Sequence, residues 1–350
     1  MQYSKLGSSG LSVSRVCLGS MTWGSQNVQK EADEQIEYAL AQGINFIDTA
    51  EMYAVPPTEK TYGRTEEIIG DWLSRHPERR SEIILATKIA GPGLPYIRSG
   101  APLSAESIFA AVDASLARLQ TDYIDLYQLH WPNRTTPHFA KHHPGTVTFS
   151  EINHKEHSNQ MLEILQALNE CMQAGKIRHF GLSDDTPWGI NEYLSLSEKH
   201  QLPRPVSIQN EFSLLHAKDW PYLIENCIHK DIAYLPWSPL ATGALTGKYL
   251  DGARPDGSRW SFAQRHGLFR DTKLSNQAVS EYLKVAAKHQ LSPAQLALAW
   301  CDQVDGVTST IIGATNMQQL KENIDAFEHS LSEQVMTDIN SVYRQYPMPF

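Results

Sequence analysis

Four residues that close or directly follow three early apolar runs could together do chemistry: Asp48 and Tyr53 in NFIDTAEMY, Lys88 in EIILATK and His130 in IDLYQLH. Each run is β-prone and neighbours a helical segment, so parallel packing would bring the C-terminal ends to one rim. A carboxylate, a phenol, an amine and an imidazole would meet there, a set suited to proton delivery to a carbonyl oxygen. A free tyrosine titrates near ~10, and a lysine ammonium beside it favours the phenolate and lowers that value. Tyr53 is therefore the expected general acid and Lys88 the group that tunes it. Asp48 would hold Lys88 charged and in place, while His130 would donate a hydrogen bond that orients the substrate oxygen and stabilises its developing charge. None of the four is an obvious nucleophile, and they make no metal cage. Taken singly, each is more often a cap, a surface charge or a satisfied core group; the shared placement at strand ends argues for chemistry.

Bringing those groups together requires a scaffold whose strand ends converge. Strand candidates run Val16 to Gly19, Asn45 to Asp48, Ile83 to Lys88, Ile124 to His130, Ile177 to Leu182, Val206 to Gln209, Ala233 to Pro236 and Thr310 to Ile312, with helical stretches between them. Eight such alternations imply a closed parallel α/β barrel. Helix starts are marked by Thr186 before Pro187, and by Ser292 before Pro293 with Gln295 completing a capping box. Ahead of the first strand, Tyr3 to Lys5 and Val13 to Arg15 flank Gly7 and Gly10 and could pair as a hairpin across the barrel floor. A last helix over Ser332 to Gln345 exceeds the eight units. Two connections, 131–158 and 240–275, are too long for plain turns and are expected to overhang the catalytic rim as lids.

Composition agrees with a soluble enzyme in one domain, 1–350. The 350 residues are 41% hydrophobic and 20% charged, and no linker or composition break divides them. Thirty basic residues against 39 acidic give a net charge of −9, which argues against nucleic acid or an anionic membrane as partner. The start MQYSKLGSSGL has no apolar signal core, and no later stretch reaches the ~18 apolar residues of a membrane span. Cys17, Cys171, Cys227 and Cys301 lie far apart without CxxC spacing and read as reduced thiols in a cytoplasmic protein. His138, His142, His143, His154 and His157 crowd the first long connection. Pro137 and Pro144 bracket the helical spacing of His138 and His142, and no Cys or acidic pair completes a set, so no metal is expected.

With these residues in hand, the chain resembles an aldo-keto reductase. DTAEMY, ATK, DLYQLHWP, AGKIRHFGLS, QNEFSLL, WSPLATGALTGKY and IIGATNMQQLKENI follow that superfamily's order along essentially the whole length. AEMYAVPP is especially similar to the bacterial Tas-type branch, which is related to the potassium-channel β subunits. The resemblance implies a TIM barrel, (β/α)8, with NADPH/NADP+ as cofactor and a small-molecule carbonyl as substrate, and it carries the catalytic tetrad onto Asp48, Tyr53, Lys88 and His130.

It further implies that Ser183, Asp184 and Gln209 face the nicotinamide carboxamide and that Trp237 stacks on the ring. Asp184 departs from the family's usual Asn. An ionised carboxylate could accept but not donate, and its charge would favour NADP+ over NADPH unless it turns away to cap the helix near Pro187. Ser238, Leu240, Gly243 and Lys248 match the loop around the pyrophosphate, with Arg259 as a second phosphate or ribose contact. Gly313, Thr315, Gln319, Glu322 and Asn323 match the segment at the adenosine end. For the substrate, Trp23, Met52, Ala54, Val55 and Trp131 would form apolar and aromatic walls, each of them equally readable as core filler. Two readings of function result: a carbonyl reductase, and an NADP(H)-sensing regulatory subunit with little turnover. His130 favours the first, because the channel-subunit branch commonly lacks that histidine.

Overall fold

Short runs rich in β-branched and aliphatic residues form eight parallel strands in a computed structural model that describes residues 1–262 and 268–350. In chain order the elements are β1 (Tyr3–Lys5), β2 (Ser12–Ser14), β3 (Val16–Gly19), α1 (Gln29–Ala41), β4 (Phe46–Asp48), α2 (Arg64–Arg75), β5 (Ile84–Ile89), α3 (Ala105–Leu119), β6 (Ile124–Leu129), α4 (His154–Gln173), β7 (Ile177–Ser183) and α5 (Pro187–His200). They continue as β8 (Ser207–Glu211), α6 (Tyr222–Lys230), β9 (Ala233–Trp237), α7 (Lys273–Lys288), α8 (Pro293–Gln303), β10 (Thr310–Ile312), α9 (Met317–Asp325) and α10 (Glu333–Gln345). The sheet order is β10-β3-β4-β5-β6-β7-β8-β9, every pairing parallel. A bridge from Tyr234 to Val307, with the Thr308 amide donating to Tyr234 O at 2.9 Å, draws β9 toward β10 and nearly closes the ring. This is the TIM barrel.

Strand parity sorts the side chains. Phe46, Ile84, Ala86, Leu126, Ala233 and Leu235 pack with one another inside the barrel, whereas Ile47, Leu85, Ile89, Tyr127 and Leu129 face the helices. Continuing each alternation by two residues aims Asp48, Lys88, Gln128 and Trp237 inward at the C-terminal end. The antiparallel hairpin β1–β2 closes the other end, where Leu6 and Val13 join the inner cluster. Gly7, at φ +51, must be glycine there, since a Cβ would stand 2.3 Å from Val206 O.

Capping follows the sequence signals. Thr186 Oγ1 accepts the Gly189 amide at the start of α5, and Ser292 and Gln295 cap α8 reciprocally. Ser332 caps α10. The first long connection ends at Asn153, whose side chain caps α4, instead of near Ser158. The second holds short 3₁₀ segments at Ala241–Thr246, Leu250–Gly252 and Leu268–Arg270 and stops at Thr272, which caps α7; its residues 263–267 lie outside the described residues. Helix α7 is therefore a second addition to the barrel, and it packs against α10. Among the described residues no helix is long and apolar enough to cross a membrane.

Candidate active site

The rim gathers the four groups expected there. Lys88 Nζ donates to Asp48 Oδ2 at 2.6 Å and to Thr49 O at 2.8 Å. The other Asp48 oxygen accepts from Gln128 Nε2 at 3.1 Å and from Gln209 Nε2 at 2.9 Å, so this buried carboxylate has partners on both oxygens. The Lys88 ammonium lies 5.0 Å from the centroid of the Tyr53 ring. His130 meets Tyr53 edge to face at 5.7 Å and packs on Trp131 at 5.0 Å. Burial opposes the charge on Lys88, but Asp48 and Tyr53 outweigh it and its titration moves up. Burial and the Lys88 charge hold His130 well below the usual imidazole range, so the ring is neutral at neutral pH and retains one N–H to donate.

Tyr53 differs from the sequence expectation. Lys88 does pull its titration down, yet burial pushes harder and the net shift is upward. The phenol is protonated at neutral pH, as a proton donor must be.

Two supporting contacts were not foreseen. Gln128 stands two residues before His130 and therefore on the same inward face, and it also accepts from Gln209 Nε2 at 3.1 Å. Glu51 is buried between Asp48 and Tyr53; it accepts the Ala90 amide at 2.5 Å and a two-pronged contact from Arg98 at 2.9 and 2.7 Å. Its own amide donates to Lys88 O at 3.1 Å. Glu51 thus staples the loop bearing Tyr53 to the strand bearing Lys88, and only the rarity of a carboxylate inside an apolar stretch hinted at it.

Around β7 to β9, Ser183, Asp184, Gln209 and Trp237 converge. Both Asp184 and Gln209 are buried. Trp237 Nε1 donates to Asp184 Oδ1 at 3.2 Å, and Phe139 from the first long connection lies parallel to the Trp237 ring at 5.9 Å. Asp184 caps no helix, since Thr186 does that. Burial first, and then the Glu211 carboxylate, push its titration well above the usual carboxylate range. Glu211 itself pairs with buried Arg270 at 2.6 Å, and that guanidinium lies 6.0 Å from the Trp237 ring.

The second long connection returns over the rim. Ser238, at φ +53, turns the chain out of β9 toward Leu240 and Gly243. A Cβ on Gly243 would come within 2.9 Å of Lys248 Cε, which keeps that lysine against the loop. Arg259 reaches Met21 Sδ at 3.9 Å, feels Tyr53 electrostatically, and has a buried Nε with no partner among the described residues. Burial lowers its titration to about 10. At the start of α9, the Thr315 amide and hydroxyl both donate to Gln319 Oε1 at 3.0 and 3.1 Å, and Asn323 Nδ2 donates to Gly313 O at 3.0 Å; Glu322 is half-buried beside them. A Cβ on Gly313 would meet nothing within 4 Å, leaving open space beside that backbone. The Arg259 Nε and the buried His130 Nδ1, both without a partner among the described residues, and this open backbone suit a ligand that carries phosphate along the rim.

The expected substrate walls divide. Met52 and Trp131 are half-buried, and Trp131 Nε1 is anchored on Pro92 O at 3.0 Å. Ala54 and Val55 are buried. Trp23 is wholly buried, with Nε1 bonded to Gln35 Oε1 at 3.1 Å, and belongs to the layer between strands and helices. In the first long connection His138 donates to Asp185 O at 3.2 Å and His142 to Phe350 O at 2.7 Å.

A parallel barrel whose C-terminal rim holds a Lys–Asp pair beneath a tyrosine and a neutral histidine defines an oxidoreductase of carbonyl compounds. The chain belongs to the aldo/keto reductase family, whose model matches residues 15–344. It is 42% identical over 353 residues to "Protein tas" of Escherichia coli (strain K12), covering 100% of this chain and 99% of that one. It is 32% identical to "Uncharacterized oxidoreductase YrpG" of Bacillus subtilis (strain 168) over 98% of this chain and 96% of that protein, and 33% identical to "Probable voltage-gated potassium channel subunit beta" of Arabidopsis thaliana over 94% and 92%. Nicotinamide cofactors are general to the family.

Proposed function

We propose that the protein is an NADPH-dependent reductase of aldehydes and ketones, acting as one domain in the cytoplasm, where its four buried cysteines remain thiols. The observation that carries this reading is the buried Lys88–Asp48 pair directly beneath Tyr53 and beside neutral His130. When bound, NADPH supplies the hydride that reaches the carbonyl carbon. The substrate oxygen sits between the Tyr53 hydroxyl and an N–H of His130. As charge develops on that oxygen, the Tyr53 proton moves to it, and the Lys88 ammonium stabilises the phenolate left behind. Asp48, fixed by Gln128 and Gln209, keeps Lys88 charged and aimed.

With Gln209 Nε2 engaged by Asp48 and Gln128, its oxygen is the atom left to accept from the carboxamide; Trp237 is the stacking surface, and Ser183 lies beside them. Ser238, Leu240, Gly243, Lys248 and Arg259 would hold the pyrophosphate, and Gly313, Thr315, Gln319, Glu322 and Asn323 the adenosine end. Met52 and Trp131 are the accessible walls for an apolar or aromatic carbonyl substrate. A regulatory role with little turnover has less support, because the set of four proton-handling groups is complete. Tyr53→Phe is the deciding variant: it should abolish turnover of a nitrobenzaldehyde while NADPH still binds in a fluorescence titration. Near-normal turnover in that variant would remove Tyr53 from the mechanism.

A further inference from the structure

Asp184 stands where four parts of the rim meet. It follows β7 with φ +49, a left-handed conformation that a non-glycine residue keeps only when its surroundings hold it. Its amide donates to Gln209 O on β8 at 3.1 Å, and its carbonyl accepts Thr136 Oγ1 from the first long connection at 3.0 Å. Its Oδ1 accepts the indole N–H of Trp237 on β9 at 3.2 Å and lies 3.7 Å from His138 Nδ1. Lys218 Nζ donates to Pro137 O at 2.7 Å, and Phe139 completes the segment, its ring 5.9 Å from that of Trp237 with 28° between the planes.

An indole has a single donor, so a buried acceptor for that donor selects one orientation of the ring. Phe139, 5.9 Å away with 28° between planes, and the Arg270 guanidinium, 6.0 Å from the centroid, lie near the π face of Trp237 and do not distinguish the ring from its orientation flipped about χ2; the bond to Asp184 does. We propose that Asp184 is a positioning residue that aims the Trp237 ring at the nicotinamide and ties the 136–139 segment to it. The proposal rests on Trp237 as the stacking surface in the cofactor reading above. It is also compatible with an acid at this position: a side-chain oxygen that can accept from the indole is present in either Asp or Asn, so the departure from the family's residue preserves that contact.

The test uses two probes on the full chain: NADPH, and 2′,5′-ADP, which shares the adenosine end but has no nicotinamide. Asp184→Leu should weaken NADPH by about five- to ten-fold, the scale of one lost hydrogen bond, and leave 2′,5′-ADP unchanged, which also shows that the variant is folded. Trp237→Phe keeps a flat ring without the N–H and should give the same selective loss. The double variant should be no weaker than either single, because both remove one interaction. Asp184→Asn, which retains an oxygen acceptor, should recover wild-type NADPH affinity to within about two-fold. Additive losses in the double variant, or an Asp184→Leu protein with undiminished NADPH affinity, overturn the positioning role. Wild-type protein that binds neither probe overturns the cofactor reading, and this proposal with it.

Discussion

Lys88 Nζ lies 2.6 Å from Asp48 Oδ2, and the two side chains are 0% and 3% exposed. Closed off from water, each charge depends on the other, because removing one partner of a buried pair strands the second. Lys88→Met is therefore expected to destabilise the protein by about 3–5 kcal/mol, and Lys88→Met/Asp48→Asn to regain part of that loss, since the neutral amide can still bond Gln128 and Gln209. Urea denaturation of the three proteins measures this. A double variant less stable than Lys88→Met would mean that Asp48 is held by its other partners alone.

His130 is expected to act as a neutral donor, because burial and Lys88 hold its titration well below the usual value near ~6.5. The pH profile of kcat should then show no imidazole inflection between pH 6 and 8. His130→Ala should lower kcat by about 10²-fold, the scale of a lost donor to a developing oxyanion. The sign for stability is opposite to that of a paired histidine: below the unfolded value the unfolded chain binds the proton that folded His130 refuses, so acid costs stability. An inflection near pH 6.5 that vanishes in His130→Ala would show a protonated ring at work.

Glu211 and Arg270 form a second closed pair, 3% and 2% exposed and 2.6 Å apart. Burial opposes the Glu211 charge, but Arg270 and His216 prevail and hold its titration below the usual carboxylate value. Its contribution to stability is present above the unfolded value near ~4.3 and is lost as pH falls through the folded value. Arg270→Ala should cost about 3–5 kcal/mol at pH 7. The penalty should shrink toward pH 5, because an unpaired buried Glu211 takes up a proton and sheds its charge. Chemical denaturation at the two pH values decides; a penalty constant across them would point to lost packing of Arg270 against Phe269 and Phe350.

The barrel was readable because a parallel strand buried on both faces is a largely apolar run, and FID, ILATKI and IDLYQL carry Asp48, Lys88 and Gln128 at or one residue before their C-terminal ends. What escaped the sequence depends on closure or on distance along the chain. Gln128 becomes a partner of Asp48 only when strand parity is combined with a closed ring. Glu51 and Arg98 are separated by strand β5, and Asp184 and Trp237 by strand β8, and no local pattern links either pair. Helix α7 buries Val279, Tyr282 and Val285 among the small Ser275, Ala278 and Ala286, and this mixed stripe follows directly on a long polar connection, which weakens its periodicity as a signal. The net direction of the Tyr53 shift needed burial as well as neighbours, and burial is a property of the folded rim.

Asp184→Asn separates an acid that keeps its proton from one that does not. The groups facing the carboxyl are Glu211, which along with burial raises its titration, Trp237 and Lys218, which lower it without prevailing, Asp219, which adds to the rise, and His138, 3.7 Å away and held neutral by burial. Unfolding releases the proton, because a free aspartate titrates near ~3.9, so between that value and the folded one the folded protein binds more protons. Wild-type stability should accordingly fall as pH rises through this window, by up to ~1.4 kcal/mol per pH unit. Asparagine does not titrate, so the thermal stability of Asp184→Asn should overtake that of the wild type, with a margin that widens from pH 5 to pH 8 in melts followed by circular dichroism. A neutral acid also places no charge beside the ring, and the ratio of NADPH to NADP+ affinity should stay within about two-fold of wild type. A flat stability difference across pH, together with a shift of about five-fold or more toward NADPH, would show that Asp184 is ionised in the folded protein.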